Sequence, residues 1–308
     1  MENTRAKTTR NSLILLLTAT IWGMAFVSQS KGMDYMHPFT FNGVRSLIGA
    51  AGILVYILIS RKIAGDKAAK LDWKLNVRAG LLCGIFLTIA STLQQFGIKY
   101  TSVGKAGFIT TLYIIFVPMF GIFLKKKVAP VVWAAAGMAA VGMYLLCMTE
   151  SLSLGAGDIM VFLCAIAFAI QIMTVDHYAE RIDGAVVSCI QFTVCGVVCC
   201  IGALIWGQPT FGQLQDGLGA LLYAGVLSCG VGYTLQIVGQ KGLNPTVAAL
   251  IMSLESVIAT ISGWIAYKIG FLSTDQTLTP RQIAGCVIVF TAVILVQLPP
   301  EWFRFGKK

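Results

Sequence analysis

The sequence predicts an all-α integral membrane protein of ten transmembrane helices, arranged as two inverted five-helix repeats (5+5). Three observations predict it. Of the 308 residues, 57% are hydrophobic and only 12% charged, with a mean hydropathy of +0.80, which lies outside the range of soluble globular domains. The apolar residues gather into ten runs, each near the roughly 20 residues a helix needs to cross a bilayer. Two stretches, Gln94 to Gly121 and Gln236 to Gly263, read as copies of one element. At an offset of 142, Gln94 meets Gln236, Gly97 meets Gly239, Lys99 meets Lys241, Ala106 meets Ala248, Ile109 meets Ile251, Leu112 meets Leu254 and Gly121 meets Gly263. A repeat inside apolar segments is the mark of a transporter built from two related halves. The copies differ at Tyr113, which stands opposite Glu255, and a carboxylate in the middle of an apolar helix demands an explanation.

Taken in order, span 1 follows a polar, basic head (Met1 to Ser12) and covers Leu13 to Val27. A basic start before an apolar run resembles a signal peptide, but further apolar spans follow, and the run is read as the first helix. Span 2 runs from Pro38, a residue tolerated in a first helical turn, to about Ser60. The hydrophilic loop Arg61 to Lys74 leads to span 3 (Leu75 to Lys99) and span 4 (Gly104 to Leu124), where Pro118 removes a backbone bond and predicts a kink. Lys125, Lys126 and Lys127 end it. Span 5 covers Pro130 to Cys147, span 6 Gly157 to Val175, span 7 Ala185 to Trp206, span 8 Leu218 to Gln240, span 9 Pro245 to Tyr267 and span 10 Pro280 to Leu298. The expected division is 1–150 for the first repeat and 151–308 for the second.

Ten spans place both termini on one side. With them in the cytoplasm of a cell bounded by this plasma (inner) membrane, Arg5, Lys7, Arg10, the Arg61 to Arg78 cluster, Lys125 to Lys127, Arg304, Lys307 and Lys308 all lie inside. Only Lys31, Lys99, Lys105, Lys268 and Arg281 lie outside, as the positive-inside rule expects. Five spans per half is an odd number, so the second copy enters the membrane upside down. At a spacing of 146 the repeat extends to the earlier spans, with Trp22 opposite Phe168 and Arg45 opposite Gln191.

The net charge of +10 belongs to short clusters at span ends, where it sets topology and meets membrane lipid; nucleic acid is not an expected partner. Most of the nine cysteines fall within apolar runs, and His37 and His177 lie on other segments. No zinc spacing is visible, and no metal or other cofactor is expected.

With no soluble domain, recognition has to use residues inside the spans. The expected substrate-binding set is Trp22, Asn42, Arg45, Gln94, Tyr113, Gln171, Gln191, Gln236 and Glu255. Polar groups at membrane depth are costly unless they face a partner or a wet cavity, and their number here argues for a water-accessible centre. Glutamines also serve as interhelical hydrogen-bond glue, so each can be read either way. By helical rise, Arg45 and Glu255 come to similar depth from opposite sides, so they either form an ion pair or face one cavity from two sides.

Ile21-Trp22-Gly23 with Phe26, Arg45 in span 2, Lys99-Tyr100-Thr101-Ser102 before span 4, and Ala249 to Glu255 in span 9 together resemble the EamA branch of the drug/metabolite transporter superfamily. The chain departs from the family in having Ser256, Lys127 and Ile269 where proline and two acidic residues are common. The resemblance implies a cavity between spans 1 to 4 and 6 to 9, with spans 5 and 10 peripheral. It implies a secondary-active transporter working by alternating access in efflux or exchange, with uptake or drug transport as alternatives on the same fold. Gln, Tyr and Trp around one Arg and one Glu suit a small polar metabolite, such as an amino acid, with a proton as one candidate coupling ion. Monomer and homodimer both remain open. A membrane enzyme would concentrate Asp, His or Cys in an interfacial loop; no loop offers that, and the expectation is a carrier and not an enzyme.

Overall fold

Among the described residues every regular element is helical. The computed structural model describes residues 2–65, 71–101, 103–124, 130–147, 155–272 and 276–297; Ser102, Lys125 to Lys127, Arg304, Lys307 and Lys308 lie outside them. The elements are α1 (Glu2–Gly32), α2 (Pro38–Ala64), α3 (Trp73–Tyr100), α4 (Val103–Thr111), α5 (Tyr113–Phe123), α6 (Pro130–Cys147), α7 (Ala156–Tyr178), α8 (Gly184–Gly202), α9 (Phe211–Asp216), α10 (Leu218–Leu222), α11 (Tyr233–Gln240), α12 (Pro245–Met252), α13 (Glu255–Lys268) and α14 (Pro280–Gln297). Wider π-helical turns, Ala203–Gly207 and Tyr223–Gly232, continue α8 and join α10 to α11. Counting α4 with α5, α10 with α11 and α12 with α13, and setting the six-residue α9 apart, these form ten apolar helices. Eight are long and apolar enough to cross a bilayer, and shorter apolar stretches lie in α6 and α14.

Starts follow local chemistry. Asp72 accepts from Leu75 N at 3.0 Å, Asp183 from Ala185 N at 2.9 Å, and Asn244 from Thr246 N at 2.9 Å ahead of Pro245; each satisfies an amide with no partner in a first turn. At α2 the cap is His37, whose Nδ1 accepts from Phe39 N at 3.3 Å. Burial, reinforced by Lys99, holds its imidazole below the usual histidine range, which keeps that nitrogen an acceptor.

The polar head is helical too. Asn11 is buried and donates to Lys241 O at 2.7 Å, which fixes the start of α1 against the end of α11. Polarity is otherwise inverted relative to a soluble protein. Leu13, Leu54, Leu58, Ile59, Phe123, Ile201 and Leu204 are exposed, whereas Asn42, Gln94, Gln95, Gln171, Gln236 and Glu255 are buried, the arrangement a bilayer solvent selects.

The two-fold relation between the halves is visible in single contacts. Gly97 on α3 lies so close to Val161 on α7 that a Cβ would clash, and Gly239 on α11 does the same against Leu15 on α1. Gly97 and Gly239 are 142 apart; Leu15 and Val161 are 146 apart. The contacts α3 with α7, α2 with α8 and α6 with α14 are those that an axis exchanging the halves maps onto α11 with α1 or onto themselves.

Spans 4 and 9 are each interrupted at equivalent positions. Leu112 N bonds to Ile109 O and Leu254 N to Ile251 O, three residues back where a regular helix reaches four. Each tightened turn frees one carbonyl, and a hydroxyl takes it: Thr111 Oγ1 donates to Phe108 O at 2.9 Å and Ser253 Oγ to Leu250 O at 2.7 Å. The interruption of span 4 lies at Leu112, ahead of the proline. Proline's missing N–H concerns only the carbonyl four residues back, and α5 continues through Pro118 as one element.

Candidate functional site

Where the two interrupted helices meet, Tyr113 and Glu255 are the first residues after the breaks, at the starts of α5 and α13. Tyr113 Oη donates to Glu255 Oε1 at 3.0 Å, with the two side chains 2% and 4% exposed. Glu255 lies where α1 comes closest: a Cβ on Gly23 would sit 2.7 Å from Glu255 O and 2.6 Å from Ile258 Cβ. That approach is the physical reason for glycine after Trp22.

These residues line one central cavity together with Asn42, Arg45, Gln94, Gln171 and Gln236. It receives side chains from spans 1 to 4 and 6 to 9 and none from α6 or α14. Arg45 does not pair with Glu255. Its Nε donates to Asn42 Oδ1 at 2.9 Å and its guanidinium lies 5.4 Å from the Phe41 ring centre. Of the two arrangements that depth allowed, the structure has the two charges facing one cavity from different walls. Asn42 in turn donates to Ser91 Oγ at 3.0 Å and Cys199 Sγ at 3.3 Å, which joins α2 to α3 and α8 and orients the arginine. Gln94 donates to Thr110 Oγ1 at 3.2 Å. Its repeat counterpart Gln236 exchanges two amide bonds with Gln171, at 3.1 and 3.4 Å, which joins α11 to α7 at the cavity wall.

Gln191 is not brought to this cavity. It is fully buried on α8, its backbone against Gly84, and neither amide atom has a protein partner. The structure adds Gln29, Ser46, Thr110, Ser228 and Tyr233 to the lining. Gln29 and Tyr233 had a signal available, since both are polar and lie on the same helical faces as Trp22 and Gln236. Trp22 packs against Tyr233 with the rings tilted by 50° and their centres 4.5 Å apart, and its Nε1 is buried without a protein acceptor, a donor left for a solute or water.

Asp158 is a further polar group that the pattern did not single out. It is 3% exposed, accepts from Lys105 Nζ at 2.6 Å and Thr101 Oγ1 at 2.8 Å, and ties the start of α4 to α7 at the end opposite the N-terminus. At the N-terminal end, Asn76 Oδ1 accepts from Asp183 N at 2.9 Å and Lys7 faces Glu180 at 3.8 Å. With both ends tied, the cavity leaves only about 30 Å³ open to a water-sized sphere, room for about two waters.

A model of the EamA-like transporter family matches residues 10–148 and 155–298. An uncharacterized transporter of Archaeoglobus fulgidus is 27% identical over 290 residues, covering 92% of this chain and 84% of the relative. The uncharacterized transporter YwfM of Bacillus subtilis is 24% identical, with 94% of each chain covered. A crystal structure with 16% identity superposes with a TM-score of 0.74 over 96% of this chain and 99% of that one, a likeness of fold.

Proposed function

The chain belongs to the EamA-like transporter family, and from that premise we propose that it is a secondary-active carrier of a small polar, zwitterionic metabolite, working by alternating access. One observation carries the reading. The Glu255 carboxylate, held by its repeat counterpart Tyr113, and the Arg45 guanidinium face a single buried polar cavity without pairing with each other. A solute bearing an ammonium and a carboxylate satisfies both, and an apolar drug satisfies neither. The same carboxylate can hold a proton when no ammonium is present, which makes Glu255 the group that couples flux to pH.

The tied ends give the cycle its gates. Opening toward the N-terminal side releases Asn76 from the loop at Asp183 and separates Lys7 from Glu180; opening toward the other side separates Lys105 from Asp158. The rigid parts are the two repeats, 1–150 and 151–308, rocking about the Tyr113 and Glu255 junction. The membrane is the plasma (inner) membrane with both termini cytoplasmic, by the basic residues at that end. Labelling a Glu150→Cys variant lacking the native thiols with an impermeant reagent tests the orientation, because reaction only after lysis reverses it. Efflux or exchange is the direction that the family resemblance favours. Solute flux in proteoliposomes across a panel of amino acids and related metabolites tests the carrier reading: saturable movement of a zwitterion supports it, and a sealed, folded protein that moves none of the panel refutes it.

A further inference from the structure

A second site lies on the bilayer-facing side of the molecule, between spans 2 and 8. The two helices touch where Gly49 meets Gly225: a Cβ on Gly49 would fall 2.9 Å from Gly225 O and 2.7 Å from Cys229 Cβ. Toward the N-terminal end they splay. The gap is an apolar wedge of about 410 Å³ lined by Gly52, Ile53, Tyr56, Val231, Leu235 and Val238 among others. Val226 and Val231 at its edge are exposed, as are Leu54 and Leu58 on the adjacent face of α2, so the wedge opens to lipid. It is separate from the transport cavity: Tyr233 and Gln236 of α11 turn to the cavity, and Leu235 and Val238 turn to the wedge.

The wedge does not end in the apolar belt. It shares Tyr56, Thr234 and Val238 with a polar recess of about 610 Å³ at the N-terminal end, lined there by Arg61, Lys241, Asp72, Glu180, Arg181 and Asp183. Tyr56, 61% exposed, marks the boundary, as aromatic residues do at headgroup level. Seven residues of helix, about 10 Å at 1.5 Å each, separate Gly49 at the apex from Tyr56.

Charge in the recess is balanced by number but not by availability. Asp72 and Asp183 cap the starts of α3 and α8, and Glu180 faces Lys7 at 3.8 Å. Arg181 is turned to His177 O at 3.1 Å and the Tyr178 ring. Lys241 donates to Ile182 O at 3.2 Å and keeps further protons, and the Arg61 guanidinium bonds to no group among the described residues. Each carboxylate is thus engaged through one oxygen by a helix start or by Lys7, while Arg61 and Lys241 keep donors facing the recess.

We propose that this continuous wedge and recess is a phospholipid site, with one acyl chain between α2 and α11 and the phosphate on Arg61 and Lys241. The apolar part excludes a free anion as the natural occupant, and the cationic end distinguishes the site from a contact that any hydrocarbon chain could fill.

Native mass spectrometry of the purified full-length protein tests it, after exchange into detergent and return of phosphatidylglycerol, phosphatidylethanolamine, dioleoylglycerol or inorganic phosphate. The wild type is expected to retain one phospholipid through detergent exchange and no dioleoylglycerol. Arg61→Ala weakens that retention about fivefold, and Gly52→Phe abolishes it. A Cβ at Gly52 meets nothing within 4 Å, so a side chain there starts into the open wedge; Gly52→Leu serves if phenylalanine disturbs the melting temperature. Equal retention of dioleoylglycerol, equal retention by the filled variants, or saturation of Arg61 by inorganic phosphate alone would each overturn the proposal.

Discussion

Tyr113 donates its hydroxyl to Glu255 Oε1 at 3.0 Å, and the two are each other's counterparts in the repeat, 142 positions apart. A residue and its own symmetry mate can touch only at the axis relating the halves, so this bond marks the centre of the molecule. Replacing one of two symmetric positions by a carboxylate also makes the site chemically unsymmetric. We expect Tyr113→Phe and Glu255→Gln to be coupled, with a double-mutant interaction in solute affinity of about 0.5–3 kcal/mol. Calorimetric or thermal-shift affinities of the four proteins measure it, and strict additivity would remove the pair from the binding site.

The close approach at Gly23 predicts a stability effect without a cavity residue being touched. Gly23→Ala sets a methyl 2.7 Å from a backbone oxygen of Glu255 and 2.6 Å from Ile258 Cβ, which neither helix can relieve by rotating a side chain. A loss of about 1–3 kcal/mol is expected, read as a lower melting temperature in detergent. An unchanged melting temperature would mean that α1 and α13 are not held at this distance.

Much of this arrangement was legible in the sequence. The offset of 142 already set Tyr113 opposite Glu255 and Leu112 opposite Leu254, and the apolar runs located the ten spans. The interruptions were not legible, because proline is the visible helix breaker and the hydroxyls of Thr111 and Ser253 act here through geometry that composition does not reveal. Nor was the π-helical turn Tyr223–Gly232 legible, since it lies inside the continuous apolar run of span 8, nor the six-residue α9 between spans 7 and 8. Among the polar residues, eight of the nine expected to bind line one cavity, but Gln191 does not. Its offset of 146 from Arg45 gives its register along the span, whereas the cavity is set by which face of α8 turns inward.

Gln191 therefore offers a contrast. With both amide atoms buried and unpartnered, Gln191→Leu removes a desolvated group of similar volume and is expected to raise stability by about 1 kcal/mol with solute affinity unchanged. Weaker solute binding in the folded variant would return Gln191 to the site.

His37 makes folding sensitive to pH. Its folded-state value lies below the usual 6.5 because burial, then Lys99, disfavours the imidazolium. Its contribution is thus complete above pH 6.5 and is lost as pH falls through the lower folded value, when Nδ1 can no longer cap α2. His37→Asn retains an acceptor and should flatten that acid limb of the melting temperature between pH 7 and 5. A limb of unchanged slope would assign the acid sensitivity elsewhere.

Proteoliposome counterflow of radiolabelled zwitterionic amino acids at several pH values, with wild type beside a folded Glu255→Gln variant, tests the central claim most directly. The account predicts saturable, pH-dependent counterflow in the wild type and, in the variant, residual counterflow at least tenfold lower with no dependence on pH. Equal, equally pH-dependent counterflow in both proteins would contradict it.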